Sequence, residues 1–374
     1  MDRELNILVT GASGFIGSFI CSEGLDRGFR VWAGMRRTSS SQYLTDERLR
    51  FAQLDLGDYE RLRQQLRHYR EEMGGRGWDY VVHAAGATKS LRREGFFQTN
   101  TEGTKHLVRA LMAEDMVPRR FVFVSSLSIY GAIREEPVRR ATEDSPWIYV
   151  PIQDTDTPMP NTAYGESKLA AEQFLAGLAG EVGLDREQGG FPYVILRPTG
   201  VYGPRERDYF LMAQSIRQHV DFAVGYRPQE ITFVYVSDVV QAVYKAMDAP
   251  GAVGRGYFLS DGEVYDSRRF SDLLQQEMGR SSETGEIDSR QVPWVLHIKA
   301  PLWFLWLVCA VNGMLCRWMG RLTTLNLDKY HILSQRNWQC DIGPARRDLG
   351  YEPQVQLEEG VRRSVQWYRQ EGWL

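Results

Sequence analysis

Along the first half of the chain, short runs rich in apolar and β-branched residues alternate with stretches whose apolar positions fall at helical spacing. The runs at 5–10, 30–35, 51–56, 80–85, 121–125 and 193–198 are mostly continuous in apolar residues, the pattern of strands covered on both faces. Their alternation with helices predicts an α/β fold, a parallel, doubly wound sheet with helices on both sides. Beyond about Thr199 the pattern loosens into longer segments carrying Pro, Gly and aromatic residues, which predicts a smaller second lobe. The run at 257–261 again reads as a strand, so the chain is expected to return to the sheet. Residues 1–200 then form the first domain, with a return strand near 235–261, and 201–374 form most of an interleaved second lobe.

Composition narrows the function class. A chain of 374 residues that is 43% hydrophobic can bury a core unaided. Net charge is -3 and the 45 basic residues are spread along the chain, so no nucleic-acid footprint is expected and a small-molecule ligand is. Cys21, Cys309, Cys316 and Cys340 have neither zinc spacing nor disulfide-scaffold density and read as reduced, mostly buried thiols. Met1-Asp2-Arg3-Glu4 leads straight into a short apolar run, too acidic at its front for a signal peptide, and the cytoplasm is the expected compartment.

The first chemical signal is Val9-Thr10-Gly11-Ala12-Ser13-Gly14-Phe15-Ile16-Gly17, placed after the first strand and opening a helix. Gly11 and Gly14 permit a tight turn and close approach of backbone to a pyrophosphate, and Gly17 lets helix and strand pack closely. Amides of the loop and helix start then face the phosphates, with Ser13, Phe15 and Ile16 as further contact residues. A dinucleotide-binding Rossmann domain follows from this strand–turn–helix context.

The Gly-x-x-Gly-x-x-Gly spacing resembles the short-chain dehydrogenase/reductase superfamily in its extended branch. Further matches are Asp55-Leu56 after the third strand, which the resemblance places beside the adenine, Ala84-Ala85-Gly86 after the fourth, and Asn100 in the next helix. The end of the second strand bears on the cofactor. An acidic residue there would accept bonds from the ribose 2′-hydroxyl of NAD; this chain has Met35 followed by Arg36-Arg37, which suits a 2′-phosphate. NADP is preferred over NAD, although the two arginines are also compatible with a solvated turn.

Tyr164-Gly165-Glu166-Ser167-Lys168 leads into a helical pattern carried by Leu169, Phe174 and Leu178. Positions i and i+4 share a face, so Tyr164 and Lys168 are expected at one site, where the ammonium would lower the phenol pKa and make Tyr164 a general acid/base. The strand at 121–125 delivers Ser125, Ser126 and Ser128 to the carboxyl end of the sheet. The resemblance makes Ser126 the residue that orients the substrate oxygen, leaving Ser125 and Ser128 to bond local backbone. It also implies hydride exchange between a nicotinamide and a carbinol or carbonyl carbon, with Lys168 on the nicotinamide ribose and no metal. Asn100 either completes a proton path or ties helix to strand. Pro198 and Thr199 are expected near the nicotinamide amide or in a rigid turn.

Two features bear on the substrate. Nucleotide-sugar epimerases usually carry an arginine where this chain has Ile231, so one diphosphate contact is missing. The apolar run at 300–316 falls short of the roughly 20 residues that span a bilayer. It reads as a buried helix or subunit contact, as a lid over an apolar substrate walled by Trp303 to Val311, or as a surface for shallow membrane association. Together with Phe222-Ala223-Val224-Gly225, these features resemble the 3β-hydroxysteroid and sterol dehydrogenases, and Arg36 is placed as in dihydroflavonol reductases. The expected activity is an oxidoreductase for an apolar, ring-bearing or isoprenoid-like substrate, with a nucleotide-sugar epimerase or dehydratase as the alternative. A dinucleotide sensor without turnover comes third, because Ser126, Tyr164 and Lys168 are all present. By the same resemblance a homodimer is expected.

Overall fold

The computed structural model describes residues 4–139, 147–181, 190–281, 285–319, 323 and 326–374. Its centre is a seven-stranded sheet of β1 (Asn6–Thr10), β2 (Arg30–Met35), β3 (Arg50–Gln53), β4 (Tyr80–His83), β5 (Arg120–Val124), β6 (Tyr193–Pro198) and β7 (Gly256–Leu259). The order is β7-β6-β5-β4-β1-β2-β3, and every pairing is parallel. The chain starts in the middle, runs outward through β2 and β3, and then crosses to the other side of β1. That reversal between β1 and β4 opens a crevice at the strands' carboxyl ends.

Alternate residues of each strand feed opposite cores. Ile7, Val9, Val122, Val124 and Leu196 face helices α1 (Phe15–Asp26) and, later in the chain, the helix Val236–Asp248. Leu8, Phe121, Phe123 and Ile195 face α2 (Tyr59–Glu72), α3 (Gly103–Ala113) and α4 (Ala163–Glu181). The edge strand departs from the expected pattern: Phe51 on β3 is 48% exposed, because the last strand of the order has a neighbour on one side only.

Beyond β6 the chain builds a third core around Tyr202, Phe233, Phe270 and Tyr368, enclosed by the helices Asp208–Arg217, Arg269–Met278 and Leu357–Gln370. It comes back to the main sheet through Val236–Asp248, hereafter α5, and then β7, which pairs with β6. Next come the strand Leu296–Ala300, helix α6 (Leu302–Trp318) and helix α7 (Leu327–Ser334). Helix α6 departs from one of the three sequence readings. It is not buried: Trp303 is 67% and Trp318 is 86% exposed, and among its described side chains and glycine only Leu305, Cys309 and Gly313 lie fully inward.

Helix α4 is tied to the sheet by a buried ion pair. Arg197 on β6 grips Glu172 through Nε at 3.1 and 3.2 Å and a terminal nitrogen at 2.7 Å, both side chains being largely shielded from water. Losing one partner strands a buried charge. Glu172→Ala is therefore expected to cost about 3–5 kcal/mol, read as the loss in urea-unfolding free energy; a cost below about 1 kcal/mol would mean that water reaches the guanidinium.

Candidate active site

Because the sheet is parallel throughout, the residues after β1, β2, β3, β4, β5 and β6 emerge at one edge, and nearly all the sequence-predicted site residues lie there. The turn after β1 demands its glycines. Gly11 has φ +70°, and a Cβ on it would sit 2.6 Å from the Ala85 nitrogen; a Cβ on Gly17 would sit 2.2 Å from the Gly11 oxygen. Gly14 caps α1 without a side chain over its amides, and the first turn of α1 holds no acidic residue. The result is a cradle of bare backbone at a helix N-terminus, which fits a pyrophosphate. Ser13 and Phe15 line a groove with Tyr43, Lys89, Arg205 and Asp208, whereas Ile16 packs on the core. Lys89 and Asp208 close an ion pair of 2.6 Å across this groove, which sequence reasoning missed because they are 119 positions apart.

Arg36 and Arg37 follow β2, exposed and without an ion-pair partner among the described residues. Asp55 and Leu56 follow β3: the Asp55 carboxylate accepts the Gly57 amide and faces Arg61 at 3.5 Å, and the Leu56 carbonyl bonds His106. Ala84 and Ala85 are half-buried and Gly86 is exposed at the end of β4. A Cβ on Gly86 would come within 3.1 Å of Lys168 Nζ and 3.2 Å of Asn100 Oδ1, so the missing side chain opens the approach to both. Pro198 is buried, and the Thr199 hydroxyl is spent on Thr232 at 2.9 Å.

The structure brings Ser126, Tyr164 and Lys168 together. Helix α4 can close on the turn after β5 because residue 165 is glycine; a Cβ there would stand 2.4 Å from the Ser128 oxygen. Ser126 caps that turn by accepting the Ser128 amide and donating to the Ser128 hydroxyl. This corrects the expectation for its neighbours: Ser125 Oγ is buried without a hydrogen-bond partner, and Ser128 bonds Ser126, not backbone, through its hydroxyl.

A second correction concerns the tyrosine. Burial pushes the Tyr164 phenol pKa up, against the smaller downward pull of Ser126. Lys168 does not offset this, since its Nζ donates to the Val124 carbonyl at 2.8 Å and its own burial holds the ammonium down to about 8. Asn100, in a π-helical stretch (Phe97–Glu102), takes the tying role: its amide bonds both backbone groups of Ala87 and the Ser167 hydroxyl. His83, unnoticed in the sequence inside an apolar strand, bridges Thr10 at 2.6 Å and Thr104 at 2.9 Å. Thr104 gives its proton to the Asn100 carbonyl, so it must accept from Nε2. Burial, with Lys168 adding to it, holds the imidazole down to about 3 and hence neutral.

A cavity opens beside the first turn of α4. Phe96, Ala163, Arg92 and Arg93 form one side, and Cys309, Gly313 and Cys316 on the inner face of α6 form the other. The Phe96 ring meets Tyr164 edge-on, with centroids 6.3 Å apart. Arg93 pairs with Glu166, and Asp328 lines the same cavity as Ala163, its carboxyl pushed up by burial. Of the expected wall from Trp303 to Val311, Cys309 lines the cavity, whereas Trp303 and Trp306 are exposed and do not line it.

The depressed Lys168 pKa has a measurable consequence. Between its folded value of about 8 and the ordinary 10.5, the unfolded chain binds more protons than the folded one, so Lys168 makes stability rise with pH. From pH 8 to 10 the unfolding free energy of the wild type should gain about 2 kcal/mol relative to Lys168→Met; parallel pH profiles would show that the ammonium is not desolvated.

Residues 7–259 match the NAD dependent epimerase/dehydratase family. The chain is similar to short-chain dehydrogenase/reductase family 42E member 1 of Danio rerio, at 25% identity over 99% of this chain and 89% of that one. It is also similar to the 3-beta-hydroxysteroid dehydrogenase of Mycolicibacterium neoaurum, at 26% over 97% and 91%. A third relative is the 4-hydroxy-2-methyl-3-oxo-4-farnesyl-3,4-dihydroquinoline-1-oxide ketoreductase of Stigmatella aurantiaca, at 28% over 96% and 95%. Among solved structures, UDP-glucose 4-epimerase from Thermotoga maritima shares the fold, with a TM-score of 0.69 and 23% identity over 98% of this chain and 99% of that one. The family match runs from within β1 to the end of β7, the whole of the parallel sheet, and on that ground the chain belongs to the NAD dependent epimerase/dehydratase family.

Proposed function

We propose that this protein is an NAD(P)-dependent oxidoreductase that interconverts a carbonyl and a hydroxyl on an apolar, ring-bearing or isoprenoid-like substrate. The observation that carries this reading is the grouping of Ser126, Tyr164 and Lys168 at the carboxyl edge of the sheet, where the Tyr164 ring meets Phe96, a residue that lines a cavity whose far side is the inner face of an apolar helix. The bare-backbone cradle of Gly11, Gly14 and Gly17 would hold the pyrophosphate, Lys168 the ribose, and the bound nicotinamide would supply or accept the hydride. Ser126 orients the substrate oxygen and Tyr164 moves its proton. Burial holds the phenol protonated, the form in which Tyr164 can donate a proton to a carbonyl oxygen. Three relatives are named for work on steroid or farnesylated ring compounds. The epimerase reading draws on the family's own description and on the fold neighbours, and against it Ile231 packs among the aromatic residues of the third core.

Thermal-shift titration with NADPH, NADH, a 3-ketosteroid panel and UDP-glucose tests the reading, because a ligand that prefers the folded state raises Tm. A shift with NADPH and then a ketosteroid supports it; a larger shift with UDP-glucose overturns it in favour of the epimerase. On any ketosteroid that is turned over, Tyr164→Phe should lower kcat by about 10²–10⁴ while dinucleotide Kd stays within about twofold; undiminished turnover would exclude Tyr164 as the proton donor.

The free guanidinium groups of Arg36 and Arg37 support a preference for the 2′-phosphate. Replacing both by alanine should weaken NADPH binding roughly 10- to 100-fold and leave NADH within about twofold. Equal loss for both dinucleotides would remove the arginines from cofactor discrimination.

A further inference from the structure

The groove beside the dinucleotide cradle has one wall that the parallel sheet does not supply. Ser13 and Phe15 come from the turn after β1, Tyr43 from the chain after β2 and Lys89 from the chain after β4, all at the carboxyl edge. The remaining wall is residues 205–208, contributed by the second lobe where it leads into the helix Asp208–Arg217. Arg205 there has φ +73°, a left-handed backbone that costs energy for any residue with a Cβ. Such strain persists where the surroundings fix it, and it clusters at binding sites.

The surroundings fix the Arg205 guanidinium against α1. A terminal nitrogen donates to the Ser18 hydroxyl at 2.9 Å, and that hydroxyl gives its own proton to the Phe15 carbonyl in the first turn of the helix. The guanidinium carbon lies 4.4 Å from the centre of the Phe19 ring and 4.6 Å from that of Tyr43, so cation–π contacts orient the group. It is half-buried, burial pulls its pKa down, and no carboxylate pairs with it among the described residues. The other charged groups of this wall are engaged elsewhere. Lys89 pairs with Asp208, Glu206 accepts the Asp208 and Tyr209 amides at 2.9 and 2.6 Å, and Arg207 stacks on the Trp373 ring. A guanidinium carries several N–H donors, of which Ser18 takes one. A desolvated cation with open donors, beside a helix N-terminus that has no acidic residue, is complementary to a phosphate.

We propose that residues 205–208 form a clamp on the bound dinucleotide, with Arg205 as a ligand of its pyrophosphate and the Lys89–Asp208 pair as the latch that holds the clamp across the groove. The proposal deepens the dinucleotide part of the function given above and rests on it. Backbone amides of the glycine turn are neutral donors; Arg205 adds the positive charge that the turn lacks, and adds it from the other lobe. Because Lys89 and Asp208 belong to different lobes, their pair parts when the dinucleotide enters or leaves, and its strength sets the rate of release.

Dinucleotide affinity and release, read by nucleotide fluorescence on the full chain without substrate, test the clamp, with the thermal midpoint as the control for folding. Arg205→Asn, whose asparagine takes the left-handed backbone readily, should weaken NADH and NADPH alike by roughly 10- to 100-fold. Displacement by 2′-AMP, which carries no pyrophosphate, should stay within about twofold. Arg205→Lys keeps the charge without the planar fork and should lose roughly threefold or more. Asp208→Asn should speed NADH release about two- to fivefold, and the exchange Lys89→Asp with Asp208→Lys should restore the slower rate. Unchanged dinucleotide affinity in either folded Arg205 variant, or unchanged release in Asp208→Asn, overturns the proposal. A loss confined to NADPH and 2′-AMP moves Arg205 to the 2′-phosphate and overturns the pyrophosphate assignment. A protein that holds dinucleotide in this way but reduces no ketosteroid loses the oxidoreductase reading and keeps the clamp.

Discussion

A buried ammonium is the constraint around which the carboxyl edge of the sheet is arranged. Lys168 has lost nearly all its water, and its surroundings replace that hydration: the Val124 carbonyl accepts from Nζ at 2.8 Å and the Phe123 ring lies 4.8 Å away. Neighbouring groups are chosen so as not to compete. His83 is held neutral, position 86 has no side chain to block Nζ, and Asn100 is bonded away to Ala87 and Ser167. Helix α4 carries Tyr164 and Lys168 on one face, so fixing the lysine fixes the tyrosine, and the Arg197–Glu172 pair one turn further on anchors the same helix to β6. The proposed chemistry thus rests on a scaffold in which the buried polar groups around Lys168 are partnered, with Ser125 Oγ as an exception.

The molecule's two surfaces of interest meet at α6. Its inner stripe is small and neutral, which leaves room for a cavity, and its outer face is large and aromatic, which leaves nothing for solvent to favour. One helix therefore walls a cavity with one face and presents a large apolar surface with the other.

Most of the fold was legible because strands buried on both faces leave a continuous apolar signature, and because glycines at fixed spacing are forced by close backbone contacts. Gly11 and Gly17 announced the cradle for that reason. Residues that act across long separations were not legible. The Lys89–Asp208 pair, the His83 bridge and the meeting of Asp328 with Ala163 at one cavity each join segments whose proximity only the folded chain creates. The pKa of Tyr164 was misjudged because spacing shows that Lys168 is near but not which acceptor its protons have taken. For α6, hydropathy gave the residues and not the orientation: the same apolar run suits a core or a surface, and exposure alone separates them.

The middle position of β1 governs how the chain can assemble. Helices α1 and α5 cover the same side of the sheet, and the Tyr244 hydroxyl on α5 donates to the Ile20 carbonyl on α1 at 2.7 Å, although 224 residues separate them. An emerging polypeptide holding only the first two hundred residues would have α1 docked beside bare valines and isoleucines of β1, β4 and β5. Contacts of such long loop span slow folding and leave sticky intermediates. Completion of the nucleotide-binding half therefore waits on a segment made long after it, and the nascent chain is a natural client for chaperones until α5 and β7 close that flank.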